Sequence, residues 1–260
     1  MNASVPLDFK PLRQERAYQA VAQAIETKIL TSEWALGSAL PGEVALAEAF
    51  GVNRSTVREA IRVLEQQGLL VRSSRKQLVV NAPGNTHVAS RMTAAIILQE
   101  VTFLEMWEVM MLTEPRAAEA AATRASDEEI AEIEQAHINS RLALGNPKAL
   151  VVWDARFLDA IAQASHNRVL QLCRAPLGPL FYPTFLPVLE RPVGGKRLVR
   201  AQAEILKVLK AHDARGAFDW MRRHIEDFRR GYEAAGMDVS RPVAHQFVQN
   251  EDQSAQRNRA

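Results

Sequence analysis

One cysteine, Cys173, stands in a chain of 260 residues. A lone thiol cannot close an intramolecular disulfide or build a multi-cysteine metal cluster, and such a composition suits a reducing cytosol. Long apolar runs are missing too: nothing approaches the roughly 18 uninterrupted apolar residues that read as a membrane span. The opening segment MNASVPLDFKPLRQERAYQ lacks the continuous apolar core of a secretory leader, so a cytoplasmic protein with no membrane partner is expected. Charge of one sign is scarce. With 32 Lys and Arg against 30 Asp and Glu the net charge is +2, so any nucleic-acid footprint must be local. There is no internal repeat, no phosphate-cradling glycine loop, no H-E-x-x-H and no serine–histidine–acid order, and no catalytic residue is assigned. His87, His137, His166, His212 and His245 are scattered, and His166 before Asn167 reads as structural.

What is present is enough apolar material, 47% of residues, for two cores, and one stretch of unusual internal agreement, PGEVALAEAFGVNRSTVREAIRVL over 41–64. Pro41–Gly42 halts the preceding segment, and Glu43 suits the positive end of a new helix. Val44, Leu46, Ala47 and Phe50 give that helix an apolar side, and Gly51 supplies the left-handed position that closes it. Val52 plugs the turn and Asn53 is the expected N-cap of the next helix. There Val57, Ile61 and Leu64 line one face while Arg54, Arg58 and Arg62 recur at i, i+4, i+8 on another. A second helix that is apolar behind and basic in front, with Ser55 and Thr56 in its first turn, fits a helix-turn-helix. The plainer alternative is a surface helix pair with a solvated arginine face.

Around this pair, residues 1–12 read as a loose arm and about 14–31 as a helix with Tyr18, Val21, Ile25 and Ile29 on one side. Leu69–Val71 and Leu78–Val80 are expected as short paired strands. The polar loop between them holds Arg72, Arg75 and Lys76, a basic hairpin tip of the kind that reaches a phosphate or the minor groove. Residues 81–99 read as a linker and the start of a helical region. Helices are expected at about 101–124, 127–144, 148–164, 168–186 (broken by Pro176, Pro179 and Pro183), 196–212 and 214–234, with a polar tail fraying past Asp238. Glu128, Glu129, Glu132 and Glu134 read as a solvated helix face, and Trp107, Trp153 and Trp220 as bundle packing.

Residues 1–84 resemble the winged-helix domain of the GntR family of bacterial transcription regulators. The matching marks are Leu40–Pro41, Leu46–Ala47, Gly51–Val52, Arg54, Arg58–Glu59–Ala60, Leu64–Glu65 and Gly68–Leu69. The resemblance implies Arg54 and Arg58 as principal DNA contacts, with Ser55 and Thr56 beside them, and Arg62, Arg75 and Lys76 complete the expected set. Val44 stands where the family often has arginine, and no glycine occurs near Gln77 in the wing. The helices that follow are similar to the FadR-type effector domain, the FCD domain. Its marks here are Glu108, Glu114–Pro115, Trp153–Asp154, Arg156–Phe157, Asn167, Ile205–Leu206, Asp213 and Met221–His224.

The expected fold is therefore mainly α: a winged helix-turn-helix of three helices and a small β-hairpin (1–84), joined through 85–98 to an all-α bundle of six or seven helices (99–237), with a tail at 238–260. By resemblance, many FCD domains hold a divalent metal with one aspartate and three histidines. Asp154 and His224 fall on that pattern, but the other two positions are Leu158 and Gln202, and an arginine frequent on the first effector helix is Met110. No metal cofactor is expected; Asp154 and His224 are weak metal candidates. They pair by a buried hydrogen bond, or His224 meets an effector, or these are simply core side chains of a collapsed bundle. The expected effector residues are Met110, Glu114, Asp154, Leu158, Gln202 and His224, lining a pocket for a partly apolar compound. The expected function is a DNA-binding regulator, a repressor, that acts as a homodimer on a short palindromic operator and answers to a small molecule. Rival readings are a metal-dependent enzyme using Asp154 and His224, and an architectural DNA-binding protein that ignores ligands.

Overall fold

A computed structural model describes residues 17–73, 77–191 and 193–243, and the chain divides into two compact units, one ending at His87 and the other beginning at Val88. The first unit contains α1 (Ala17–Leu30), α2 (Glu43–Phe50), α3 (Arg54–Gln66), β1 (Leu70–Arg72) and β2 (Leu78–Val80). Gly51 closes α2 at φ 64°, and Val52 N–H returns to Ala47 O at 3.0 Å. The end of α3 repeats the device: Gly68 has φ 78°, its N–H reaches Glu65 O at 3.0 Å, and Leu69 N–H reaches Leu64 O at 3.0 Å. Leu69 is thereby used by the helix cap. This is why the first strand runs 70–72, one residue later than the apolar run suggests, and why Arg72 lies on β1 opposite Leu78 and not in the loop. Gly37–Leu40 adds a further edge to the hairpin through Gly37 N–H to Val80 O and Leu40 N–H to Leu78 O, both 2.9 Å.

Behind α3, Val57, Ala60, Ile61 and Leu64 are fully buried against Val21 and Ile25 of α1 and Leu46 of α2. Two expectations are corrected here. Val44 is 47% exposed, because at the first turn of α2 it points away from the core that Leu46 and Ala47 enter. Asn53 occupies the N-cap position of α3 with extended backbone, but its side chain makes no capping bond.

The second unit is a helical bundle: α4 (Asn85–Leu98), which begins just before the division, α5 (Phe103–Arg124), α6 (Asp127–Leu142), α7 (Pro147–Ala164), α8 (Arg168–Arg174), α9 (Leu177–Leu189), α10 (Gly194–Lys210) and α11 (Ala214–Ala234). Helix α5 packs on α11 and α7, and α6 on α7 and α10. Caps set the boundaries. Thr102 and Glu105 form a capping box on α5, Ser126 and Glu129 another on α6, and Asp213 accepts from Gly216 N–H at the start of α11. The break near residue 175 divides α8 from α9. Pro179 falls in the first turn of α9, where a missing N–H deprives no carbonyl of a partner. Helix α10 begins at Gly194, where a Cβ would lie 2.2 Å from Val188 O. Glu129 is not merely solvated: it accepts from Ser126 N–H and meets His166 Nε2 at 3.0 Å, and the Ser126 bond holds its carboxyl below the usual range. Nor does the chain fray at 238. Leu104 N–H bonds Val239 O at 3.0 Å, Val243 N–H bonds Val101 O at 2.9 Å, and Val243 is fully buried.

Candidate functional site

Burial of one face of α3 forces the other outward, and Arg54, Ser55, Arg58 and Arg62 are all exposed, with Thr56 half-buried between the two faces. Arg58 donates from Nε and Nη2 to Glu43 Oε2, each at 3.2 Å. Arg72 lies 3.0 Å from Glu65 Oε1 and 3.9 Å from Glu43 Oε1. Arg62 is 3.5 Å from Glu59. Among the described residues Arg54 has no carboxylate at ion-pair distance. It lines an open groove, about 440 Å³, with Pro41, Gly42, Glu43, Arg72 and Gln77. Among the described residues of this shallow surface, the Arg54 guanidinium is unpaired and those of Arg58, Arg62 and Arg72 are held by carboxylates. Arg75 and Lys76 lie outside the described residues.

In the helical unit, the residues singled out by the sequence converge. Asp154 on α7, Gln202 on α10 and His224 on α11 are 0%, 0% and 2% exposed. Gln202 Nε2 donates to Asp154 Oδ1 at 2.9 Å, and Gln202 Oε1 lies 3.3 Å from His137 Nδ1 on α6. His224 Nε2 stands 3.8 Å from Asp154 Oδ1, too far for the direct hydrogen bond that the sequence allowed. Among the described residues, Asp154 Oδ2 and His224 Nε2 are buried without a hydrogen-bond partner. Met110 and Leu158 are fully buried members of the core. His224 also walls a cavity of about 50 Å³ with Phe185, Val188, Arg197, Asp227 and Phe228. Among the described residues, no three His, Cys, Asp or Glu side chains are placed to hold a metal ion.

Glu114 is buried for a different reason. Its Oε1 accepts from Arg174 Nη1 at 2.6 Å, and Arg174, itself 4% exposed, also donates from Nε to Asp159 Oδ1 at 2.7 Å. Sequence reasoning missed both Arg174 and His137. A signal existed for His137, since with Ile130, Ile133 and Ser140 it completes the buried stripe of α6. Arg174 lies in a seven-residue helix, too short to show a period. The tryptophans pack partly buried as expected. Each carries a guanidinium: Arg229 over Trp107 at 5.0 Å, Arg156 over Trp153 at 4.5 Å and Arg223 over Trp220 at 5.0 Å.

Residues 17–80 match the model of the bacterial regulatory proteins of the gntR family, and residues 105–227 match that of the FCD domain. The chain belongs to the GntR family. Its two matched segments coincide with the helix-turn-helix unit and with the bundle that holds the Asp154 cluster. Among curated relatives, this GntR-family chain is 33% identical over 159 residues to the Uxu operon transcriptional regulator of Escherichia coli (strain K12), covering 60% of this chain and 61% of that one. It is 27% identical over 196 residues to the Glc operon transcriptional activator of the same strain, covering 72% and 77%. It is 26% identical over 174 residues to the HTH-type transcriptional repressor NanR of Cronobacter sakazakii, covering 66% and 67%. The solved structure of Streptococcus agalactiae GntR superposes with a TM-score of 0.58 at 24% identity, over 82% of this chain and 99% of that one, a likeness of fold.

Proposed function

We propose that this GntR-family regulator binds a short palindromic operator as a homodimer, lays α3 in the major groove, and releases the DNA when a small organic effector enters the helical unit. The observation that carries the reading is the outward face of α3. Arg54, Ser55 and Arg58 are presented from its first turns while Val57, Ile61 and Leu64 fix the helix from behind. Arginines so placed take guanine edges or phosphates. One small winged helix makes few base contacts, and a twofold pair doubles them and sets a half-site spacing. The effector acts by population shift, favouring helix arrangements in which the paired units no longer match that spacing. The buried residues Met110, Glu114, Asp154, Leu158, Gln202 and His224 are the proposed responsive set, of which His224 walls the cavity. Repression is the proposed sign; among relatives, one is named a repressor and another an activator. The protein works in the cytoplasm, without catalysis, and among the described residues no helix is long and apolar enough to cross a membrane.

The test is selection of a preferred duplex from a random pool, followed by binding titration against competitor DNA. Enrichment of a palindrome, two chains per duplex and a steep loss of affinity with salt are expected. Equal binding to all sequences would replace the regulator with an architectural DNA binder.

A further inference from the structure

A divalent metal held by one aspartate and three histidines is what the resemblance implies for the helical unit, and the donor set here does not fit it. Zinc in such sites takes three or four protein ligands at about 2.0–2.3 Å. Asp154 and His224 supply two. Leu158 has no lone pair to give, and Gln202 is already engaged at both ends of its amide, 2.9 Å from Asp154 Oδ1 and 3.3 Å from His137 Nδ1. That amide does for its neighbours what a cation would do. Its N–H₂ faces the carboxyl group of Asp154, and its carbonyl fixes His137 as the Nδ1–H tautomer, because only a donor can face that oxygen.

We infer that Gln202 stands in for the metal. Its amide ties α10 to α7 and α6 in a metal-free polar anchor. It leaves Asp154 Oδ2 and His224 Nε2, both buried and without a hydrogen-bond partner among the described residues, to meet a neutral hydroxyl-bearing group of the effector directly. This rests on reading the bundle as the effector domain. A hydroxyl both donates and accepts, so one group can satisfy a carboxyl oxygen and an imidazole nitrogen together. A carboxylate fits worse: it would face Asp154 with no metal between them, Met110, an apolar side chain 1% exposed, stands where the resemblance implies an arginine, and Arg197 on the cavity wall is already held by Asp227 at 2.8 Å. Of Asp154 and His224, it is His224 that walls the cavity of about 50 Å³, so a small group entering there meets the imidazole first and reaches Asp154, fully buried behind that wall, only as the wall gives.

Zinc chloride alone is the first probe, applied to full-length wild type and to Leu158→His/Gln202→His, with native mass spectrometry and thermal unfolding as readouts. Wild type is expected to carry no zinc and to unfold at the same temperature with zinc or with EDTA. The double variant is expected to take one zinc per chain and gain roughly 5–10 °C. Stoichiometric zinc on wild type overturns the inference, as does a double variant with intact helical circular dichroism that takes up none. Should that variant fail to fold, Gln202→Glu, which is isosteric and frees a donor oxygen, is expected to bind zinc more weakly but measurably, and no uptake overturns the inference. In excess EDTA, 1-butanol is expected to shift the His224 imidazole resonances and butyrate to leave them unmoved; any other pattern overturns the hydroxyl assignment. Operator binding measured on the same preparations separates the cases. Zinc on a wild type that still selects its operator sinks the metal-free anchor alone, whereas loss of sequence selection sinks the regulator reading.

Discussion

Glu43 Oε2 accepts two hydrogen bonds from Arg58, at 3.2 Å each, across the turn between α2 and α3. The same carboxylate lies 3.9 Å from Arg72 on the hairpin, so one acidic side chain, 21% exposed, positions a cation from each element. Held this way, Arg58 has little freedom to lose on meeting DNA, but the carboxylate also competes with phosphate for it. Glu43→Gln is therefore expected to strengthen binding to random duplex by about 3–10-fold, to steepen the salt dependence by about one counterion, and to narrow the preference for operator. Fluorescence-anisotropy titrations at several salt concentrations read all three. An unchanged slope and preference would show Glu43 to be a helix-start residue only.

Arg54 is exposed, and no carboxylate lies at ion-pair distance from it among the described residues. Arg54→Ala and Arg58→Ala are each expected to lower operator affinity by roughly 10–100-fold if they read base edges. Exposed as they are, neither should move the unfolding temperature by more than about 1–2 °C. Arg62→Ala, already partnered by Glu59 at 3.5 Å, should cost less. Equal affinity of the Arg54→Ala and wild-type proteins for operator would displace α3 as the reading helix.

Arg174 and Glu114 form an ion pair at 2.6 Å with side chains only 4% and 2% exposed. Removing one partner of such a pair leaves the other buried and uncompensated, so Arg174→Ala is expected to destabilise the helical unit by about 3–5 kcal/mol. Asp159, whose side chain is 57% exposed, can return to water, and Asp159→Ala should cost under about 1 kcal/mol. Chemical denaturation of the two variants makes the comparison, and equal losses would contradict it.

Burial pushes the pKa of His137 below its ordinary value, against a smaller upward pull from the hydrogen bond to Gln202. The unfolded chain then binds the proton more readily than the folded one. Stability from this group is present above the unfolded value of about 6.5 and is lost as pH falls below it toward the lowered folded value. Glu129, with a lowered carboxyl pKa, loses its contribution in a separate and more acidic window, below about 4.5. Thermal unfolding between pH 7.5 and 5.5 should fall in wild type and fall less in His137→Gln. Parallel curves would exclude His137 as the titrating group.

Most helices of both units were legible because their chemistry is local; the exceptions are α4, read as linker and helix start, and α9, which runs on to Leu189 where a break at Pro183 was expected. A 3.6-residue apolar period, a left-handed glycine at residue 51, and acidic or hydroxyl residues at helix starts act within a few positions of one another. The helix span expected at 214–234 is α11 to the residue. What was misplaced depended on partners distant in sequence. Leu69 looks like strand but is taken by the cap of α3. Residues 239–243 look like tail but pair with the start of α5. Val44 fits an apolar helical face, yet nothing in unit 1 covers it enough to bury it.

The sequence by itself determined which residues occupy the chemically decisive positions: arginines on one face of α3, and leucine and glutamine at the two positions where the FCD resemblance implies histidines. Tertiary structure decided what those residues touch. Only packing brings Glu43 to Arg58 across 15 residues, Gln202 to Asp154 across 48 and Arg174 to Glu114 across 60. Periodicity fixes the face a side chain takes, because that is set by the neighbouring turns of its own helix. The partner it finds there is set by how separate helices pack, and no local pattern encodes that.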